Sequence, residues 1–409
     1  MDEPAHHSDR ALAYGNFRYF LIARFLTTIA VEMQSVAIGW QVYAMTGKPL
    51  DLGLIGLAQF LPFVVLVLPA GQVADRYERR LIIAGCYVVE AVCAVLLMAY
   101  SLTGTSQTWP VFAVLVLFGC ARAFAMPTGQ AITPNLVPRE AFPNAVALNS
   151  SSSHVATIAG PAVGGLLYVA GAVVVYASVA TILMISVAMM VMVSLPKRIR
   201  TPEPSNWHTV LEGLRFVRSR PVILGAISLD LFAVLFGGAV ALLPVYASDI
   251  LAVGPEGLGL LRTAPAIGAA LTAVGLVFFP VTRRVGVWLF VSVALFGISI
   301  IGFGLSTLFW TALGALILMG AADMVSVYIR HMLVQLETPD EIRGRVSAVS
   351  AVFIGASNEL GEFESGITAA WLGVVRAVVL GGSLTIGVTA LWMRLFPSLS
   401  KMDRLPGAT

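Results

Sequence analysis

The chain has 409 residues, of which 58% are hydrophobic and only 11% are charged, and its formal net charge is +3. Soluble domains average roughly 45–50% apolar and 25% charged residues, so this composition excludes an ordinary soluble enzyme or binding domain. A mean hydropathy of +0.88 is typical of a protein that crosses the membrane many times. The lipid bilayer is therefore an expected partner, and nucleic acid is not.

Twelve apolar segments are each long enough to cross the hydrocarbon layer, about 30 Å thick, as a helix. Few polar residues separate the fifth segment from the sixth or the ninth from the tenth, so these boundaries are the least sharp. We predict an all-α membrane protein with twelve transmembrane helices. The predicted spans cover residues 17–43, 52–74, 80–102, 109–133, 146–170, 172–195, 222–248, 257–280, 286–306, 308–331, 346–370 and 374–396.

The positions of arginine and lysine predict the orientation of these spans. Only Arg24, Arg122 and Arg262 lie deep inside predicted spans, and only Lys48 and Arg376 lie on odd-numbered connections or at the span ends that face them. The other basic residues lie at the termini, on even-numbered connections or at span ends that face them. By the positive-inside rule, both termini are predicted to be cytoplasmic.

The longest polar segment predicts a division into an N-terminal six-helix half at 1–195, a cytoplasmic linker at 196–221 and a C-terminal half at 222–409. Short motifs recur between the halves at an offset of 201–203 residues, which predicts a parallel internal repeat. Transporters with such repeats bind their substrate between the halves, near the middle of the membrane. The matching pairs are Val42–Ala44 with Val245–Ala247, Pro62 with Pro265, Gly119 with Gly320, Arg122 with Asp323, Pro138–Glu140 with Pro339–Glu341, and Gly160–Gly165 with Gly361–Gly366.

The connection Gly71–Arg80 places acidic and basic side chains between two membrane-length segments. It resembles the signature loop of the major facilitator superfamily, except that Glu78 stands where that family has glycine. Gly160–Gly165 is similar to the span-5 motif of the superfamily's antiporters. Further segments resemble the exporter branch that includes the enterobactin exporter and drug–proton antiporters; they are Trp40–Tyr43, Asn144–Asn149 and Ser357–Gly361.

The resemblance implies a conformational latch at the signature loop. In the outward-open state Asp75 would approach the cytoplasmic N-terminus of span 11 near Arg345, where free N–H groups and the helix dipole favour a carboxylate. Alternatively, Asp75 only balances Arg76 or Arg79. The predicted latch residues are Gly71, Asp75, Arg76, Arg79, Arg80 and Arg345.

Small residues at four-residue steps in span 5 should let another helix approach closely, and we expect that helix to be span 8. Pro161 removes a backbone donor and can bend the helix. The residues of this antiporter motif are Gly160, Pro161, Gly164 and Gly165.

Charges inside the membrane are costly, so they are expected to face a cavity or each other. The resemblance makes spans 1, 4, 7 and 10 the cavity lining, which places Glu32 and Arg122 near mid-depth. Glu32 is the first candidate for a carboxylate that exchanges protons; the alternative is a permanent ion pair with Arg24 or Arg122. A second hypothesis pairs Arg122 with Asp323, because the two occupy equivalent positions in the repeat.

Span 11 offers a rival proton site, since it carries Glu359, Glu362 and Glu364, and Arg262 on span 8 is expected at a similar depth. A structural polar seam is the other interpretation of this cluster. The proton-coupling candidates are thus Glu32, Glu359, Glu362, Asp230 and Asp323, and the cavity charges are Arg24, Arg122 and Arg262. The candidate substrate-cavity residues are Gln34, Trp40, Phe124, Phe232, Phe236 and Tyr328.

These features predict a secondary transporter that works by alternating access and exports an amphipathic small molecule, such as a drug, siderophore or metabolite, in exchange for protons. We expect a monomer in the inner membrane of a bacterium, with no enzymatic activity, no cofactor and no metal site. No nucleotide-binding or nucleophile motif is present in the sequence. The alternatives are a proton-coupled importer and a non-transporting interaction protein built on a transporter scaffold.

Overall fold

The computed structural model describes residues 10–194 and 214–404, and this part of the chain is built from helices without any strand. It contains twelve helices of sixteen residues or more, which we number α1 to α12. Their bounds are Gly15–Thr46, Pro49–Arg76, Arg79–Thr103, Trp109–Ile132, Phe142–Tyr168, Ala172–Met192, Pro221–Phe236, Gly254–Phe278, Val285–Gly304, Phe309–Glu337, Asp340–Leu372 and Val374–Leu395.

Ten of these helices supply a segment that is long and apolar enough, among the described residues, to cross a membrane; for α7 that segment continues through the following turns to Ile250. The other two are α5, whose first half is rich in serine and asparagine, and α11, which contains Glu359, Glu362 and Glu364. An all-helical membrane protein is thereby confirmed, and the count of twelve spans stays a prediction.

The chain divides into two compact units. The first unit comprises Met1–Gln41 and Ala58–Ser205, and the second comprises Val42–Leu57 and Asn206–Thr409. The second unit therefore includes the end of α1 and the start of α2. The boundaries predicted for the halves stay a prediction, and most of the predicted linker lies outside the described residues.

The same helix pairs pack together in each unit. In the first unit α3 packs against α4 and α6, and in the second α9 packs against α10 and α12. Gly119 of α4 lies so close to α2 that a Cβ there would be 2.8 Å from Pro62. In the same way, a Cβ on Gly320 of α10 would be 2.6 Å from the Cα of Pro265 on α8. The packing in the two units agrees with the predicted internal repeat, and the layout of two six-helix halves stays a prediction.

The seventh predicted span, 222–248, is not one continuous helix. α7 ends at Phe236, and Gly237 and Gly238 are followed by a 3₁₀ turn at Ala239–Leu242 and a π-helical turn at Tyr246–Ile250. Gly238 is needed here because its Cα lies against the backbone of Gly361 on α11. Such departures from α-helical geometry frequently occur at functional sites.

Large aromatic side chains are exposed at several helix ends. Trp109 begins α4 with 67% of its surface exposed, Trp310 lies at the start of α10 with 77%, and Trp371 lies at the end of α11 with 83%. Tryptophan is enriched where a membrane protein meets the boundary between lipid and water. These positions fit a protein whose exposed apolar surface faces lipid.

Candidate functional site

The glycines of the antiporter motif lie directly against the turn of α1 that carries Glu32. A Cβ on Gly160 would be 2.5 Å from the Cβ of Glu32, and one on Gly164 would be 2.7 Å from the Cα of Met33. Only glycine therefore allows α5 to approach α1 this closely. Within the first unit the close neighbour of these glycines is α1, and their predicted contact with span 8 stays a prediction.

Three charged side chains of the first unit lie on α1, α3 and α4. Arg122 is exposed on α4 and donates a hydrogen bond from Nη1 to Gln59 Oε1 at 3.4 Å. Glu90 of α3 is 2% exposed, and its Oε2 has no hydrogen-bond partner among the described residues. Arg24 of α1 lies near Gly129 of α4, with Nη1 3.9 Å from the position of a Cβ there. The predicted cavity charges Arg24 and Arg122 thus lie on adjoining helices.

The predicted cavity residues of α1 have different surroundings. Gln34 is enclosed by protein at 2% exposure, and its Oε1 lacks a hydrogen-bond partner within the described part of the chain. Trp40 packs edge-on against Tyr168 of α5, with ring centroids 6.5 Å apart. Phe124 of α4 is half-buried. Trp40 is therefore fixed by the same α1–α5 contact that holds Glu32.

In the second unit, Asp230 of α7 forms a buried ion pair with Arg330 of α10. Asp230 is 5% exposed and Arg330 is 8% exposed. Separating two such buried charges costs far more than separating a surface pair, because the remaining charge has no water to solvate it. The pair therefore holds α7 against α10, and Asp230 has a fixed partner.

Arg330 was not singled out from the sequence, because its position near the end of a predicted span suggested a cytoplasmic arginine. A signal was nevertheless present, since Asp323, Ser326 and Arg330 are spaced i, i+3 and i+7 on one face of α10. Asp230, Asp323 and Ser326 line one small cavity. Asp323 is thus close to the ion pair within the second unit.

Two predicted cavity aromatics make packing contacts. Phe232 packs against Trp392 of α12 with ring centroids 5.2 Å apart, and Trp392 donates a hydrogen bond to Ser228 at 3.0 Å. Tyr328 lies against the apolar cluster formed by α7, α9 and α10. Phe236 is the last residue of α7, at its break. These contacts favour a packing role for Phe232 and Tyr328.

The acidic residues of α11 are separated by their surroundings. A Cβ on Gly56 of α2 would be 2.9 Å from Glu362 Oε2, so Glu362 lies against the start of α2. Glu364 accepts a hydrogen bond from Thr368 at 2.7 Å. Within the described residues no ion pair joins Arg262 to Glu364.

The end of α1 and the start of α2 form what we call the α1–α2 corner, residues 42–57. Tyr43 donates a hydrogen bond to Asp249 Oδ2 at 2.5 Å, joining residues 206 positions apart. Gly53 and Gly366 of α11 meet backbone to backbone, since a Cβ on Gly366 would be 2.8 Å from the Cα of Gly53. The α1–α2 corner is therefore tightly packed against α11 and the segment after α7.

The signature loop accommodates Glu78 without strain. Residue 78 has φ −66°, which does not require glycine, and its carbonyl accepts hydrogen bonds from the N–H groups of Leu81 and Ile82. The Glu78 carboxylate also pairs with Arg80 at 2.9 Å, and Arg80 donates to the Val193 carbonyl. The surroundings of the latch residues Gly71, Asp75 and Arg345 lie outside what the structure describes, so the latch stays a prediction. Of the other latch residues, Arg76 is exposed and Arg79 is buried.

Comparison with known proteins decides the family. A family model described as "transmembrane secretion effector" matches residues 10–407. The chain belongs to the transmembrane secretion effector family. Its predicted place among the transporters of the major facilitator superfamily is confirmed, and the chain is a multi-pass membrane transporter and not an enzyme.

Relatives of this secretion effector include the enterobactin exporter EntS of Shigella boydii serotype 18, which is 27% identical over 384 residues, or 92% of this chain and 91% of the exporter. EntS of Escherichia coli O1:K1 / APEC is 26% identical over the same shares.

Solved structures share the fold. A bacterial homolog of the human lysosomal transporter Spinster has a TM-score of 0.75 at 14% identity, covering 96% of this chain and 98% of its own. A bacterial homologue of the iron transporter ferroportin has a TM-score of 0.71 at 14% identity, covering 95% and 99%. At such low identity these two comparisons support the fold alone.

Proposed function

We propose that this secretion effector is a secondary active transporter that exports an amphipathic small molecule from the cytoplasm in exchange for protons. The observation that carries the proposal is the contact between Gly160 of the antiporter motif and the Glu32 turn of α1. A motif typical of antiporters thereby fixes the helix that carries an intramembrane carboxylate. The EntS relatives, which are named as exporters of enterobactin, support the direction of transport.

Glu32 is our proposed coupling carboxylate. Carboxylates within membrane spans commonly mark proton or ion pathways, because their charge is costly in lipid. Among the rival acids, Asp230 is held by Arg330 and Glu364 is hydrogen-bonded to Thr368. Glu359, Glu362 and Asp323 remain alternatives. In this mechanism a proton on Glu32 and a bound cargo molecule exclude each other.

Alternating access requires closure on each side of the membrane in turn. We propose that the α1–α2 corner closes the outer side, supported by the Tyr43–Asp249 hydrogen bond and the contact of Gly53 with Gly366. We propose that Asp75 and Arg345 act as the latch on the cytoplasmic side. Both termini are then cytoplasmic, in agreement with the arginine and lysine distribution, and the protein works as a monomer of two six-helix halves in the bacterial inner membrane.

The test uses the full-length protein in proteoliposomes with an imposed pH gradient and enterobactin as the probe. We expect probe movement that depends on the gradient and proton movement that depends on the probe. Glu32→Gln should abolish gradient-driven transport while probe exchange persists, and Glu364→Gln serves as the matched control. Transport that continues unchanged after the gradient is collapsed would exclude proton exchange, and loss of coupling in Glu362→Gln or Glu359→Gln alone would move the proton site to α11.

A further inference from the structure

A cavity of about 210 Å³ lies within the second unit, next to the Asp230–Arg330 ion pair. It is formed by α7, α10 and α11, and none of the sequence motifs pointed to it. Its apolar wall includes Ile227, Val327 and Val334, and its polar wall consists of Arg330, His331, Gln335 and Ser350. The combination of an apolar wall with a few converging polar groups is typical of small-molecule sites.

Arg330 contributes a charged group to the wall of this cavity. The residue is 8% exposed, and its Nε has no hydrogen-bond partner in the part of the chain that the structure describes. A guanidinium carries five N–H donors and no acceptor, so only an acceptor atom can satisfy it. A buried donor without a partner is costly, and an acceptor oxygen that reached the enclosed Nε after a small shift of the Arg330 side chain would remove that cost.

The charges around Arg330 indicate which kind of oxygen fits. Asp230 already neutralises the guanidinium, and Asp323 adds a further acidic group nearby. A negatively charged ligand group would be repelled by these carboxylates, whereas an uncharged oxygen accepts the same hydrogen bond without repulsion. Gln335 and Ser350 can both donate to and accept from such a group.

We propose that this cavity, which we call the Arg330 cavity, is a subsite that binds an uncharged oxygen-bearing group, such as an amide, ester or hydroxyl, of the exported molecule. This assignment rests on the proposed function and specifies its cargo class. Pockets that enclose whole drug-sized ligands measure roughly 300–1,000 Å³, so the Arg330 cavity holds one end of the cargo. With cytoplasmic termini it lies toward the cytoplasmic ends of α7 and α10, where cargo for export is first bound.

The first experiment narrows the cavity with one variant and removes its polar groups one at a time with two others. Val327 lines the cavity and is 37% exposed, while Leu336 on the same helix is 47% exposed and does not line it. In proteoliposomes with enterobactin as the probe, we expect Val327→Trp to raise KM about tenfold with little change in kcat, and Leu336→Trp to leave both unchanged. Gln335→Ala and Ser350→Ala should each raise KM about threefold, the loss expected from one hydrogen bond. A wild-type KM in all three lining variants would overturn the proposal.

The second experiment tests the chemistry of the bound group. Inhibition of probe transport is compared for 4-octylbenzamide and for the 4-octylbenzoate anion, which differ in charge but hardly in shape. We expect the amide to inhibit at a concentration at least tenfold lower, and this preference to shrink in Gln335→Ala and Ser350→Ala. Preference for the benzoate would overturn the assignment of an uncharged group.

Direct binding separates this subsite from the transport mechanism. Quenching of tryptophan fluorescence reports binding of the same two benzene derivatives when no transport occurs. It is measured in the wild type, in Gln335→Ala and in Ser350→Ala. Amide binding that is weakened in these variants supports the subsite even if proton exchange fails. If a phospholipid fills the cavity instead, the amide will not compete with enterobactin for the cavity, and that result overturns the proposal.

Discussion

Arg330 illustrates how the meaning of a charged residue depends on its neighbours. By position it resembles the arginines that orient a membrane protein, yet it is buried and paired with Asp230. Glu78 is the opposite case, because it stands where the family has glycine and is still accommodated. Its φ of −66° does not require glycine, and its carboxylate pairs with Arg80. In both cases local geometry rather than residue type decides the role.

The Asp230–Arg330 pair gives a stability prediction. Arg330→Met should lower the free energy of unfolding by about 3 kcal/mol, because Asp230 is left buried without a partner. Asp230→Asn combined with Arg330→Met should recover most of that loss, since no unpaired charge remains. Thermal unfolding of the detergent-solubilised protein measures both. Equal destabilisation in the single and double variants would show that the pair does not act as a unit.

The contact of Gly160 with Glu32 gives a second prediction. Gly160→Ala should force α5 away from α1, at a cost of about 1–3 kcal/mol for overpacking, and should reduce transport severely. Gly387→Ala on α12 is the matched control, because nothing lies within 4 Å of a Cβ at that position. Transport rates at equal protein amounts provide the measurement. If both variants transport alike, the close approach of α5 and α1 is not required for function.

At the scale of elements, much of the architecture could be predicted because it follows from apolar length and charge placement. The spans predicted from hydropathy lie close to α1–α6 and α8–α12, since a run of apolar residues has few alternatives to a helix in lipid. The break after Phe236 was not predicted, because adjacent glycines, such as Gly237 and Gly238, are also found within continuous membrane helices. Only the close approach of Gly361 shows why glycine is needed there.

The candidate site was less predictable than the fold. Acidic residues could be recognised one by one, since a carboxylate is unusual in an apolar run. Their partners depend on helix rotation, which a single sequence does not specify. The pairing of Asp230 with Arg330 and the seating of Glu32 beneath Gly160 therefore required the structure.

The α1–α2 corner carries a prediction at this scale. Tyr43→Phe removes the hydrogen bond to Asp249 and should weaken closure of the outer side by about 1 kcal/mol, roughly a fivefold shift in the equilibrium. Hydrogen exchange of amides in residues 42–57 should then accelerate by a similar factor. Tyr100→Phe is the control, because Tyr100 lies elsewhere, at the end of α3. Unchanged exchange in Tyr43→Phe would argue against a closing role for the corner.

At the scale of the whole molecule, the number of membrane crossings is open to a direct test. Ten helices are clearly apolar enough to cross, while α5 and α11 are less apolar. Polar side chains can be tolerated in a spanning helix when they face protein or a cavity. Gly160 and Gly164 of α5, and Gly361 and Gly366 of α11, lie close to other helices, which favours that explanation.

We expect α5 and α11 to cross the membrane. In a variant that lacks Cys86, Cys93 and Cys120, Glu140→Cys and Ala170→Cys should react with an impermeant maleimide from opposite sides. Glu337→Cys and Leu372→Cys should do the same for α11. Labelling of both members of a pair from one side would reduce the count of spans and change the predicted orientation of every helix that follows.

The interruption of α7 has a mechanical consequence. A continuous helix would rigidly connect Asp230, which pairs with Arg330 beside the Arg330 cavity, to Asp249, which is hydrogen-bonded to Tyr43 of the α1–α2 corner. Gly237 and Gly238 interrupt the helix, so the segments before and after them can move separately. In the proposed mechanism, cargo can then bind at one end of this segment while the other end stays closed, so the transporter need not open both sides in a single step.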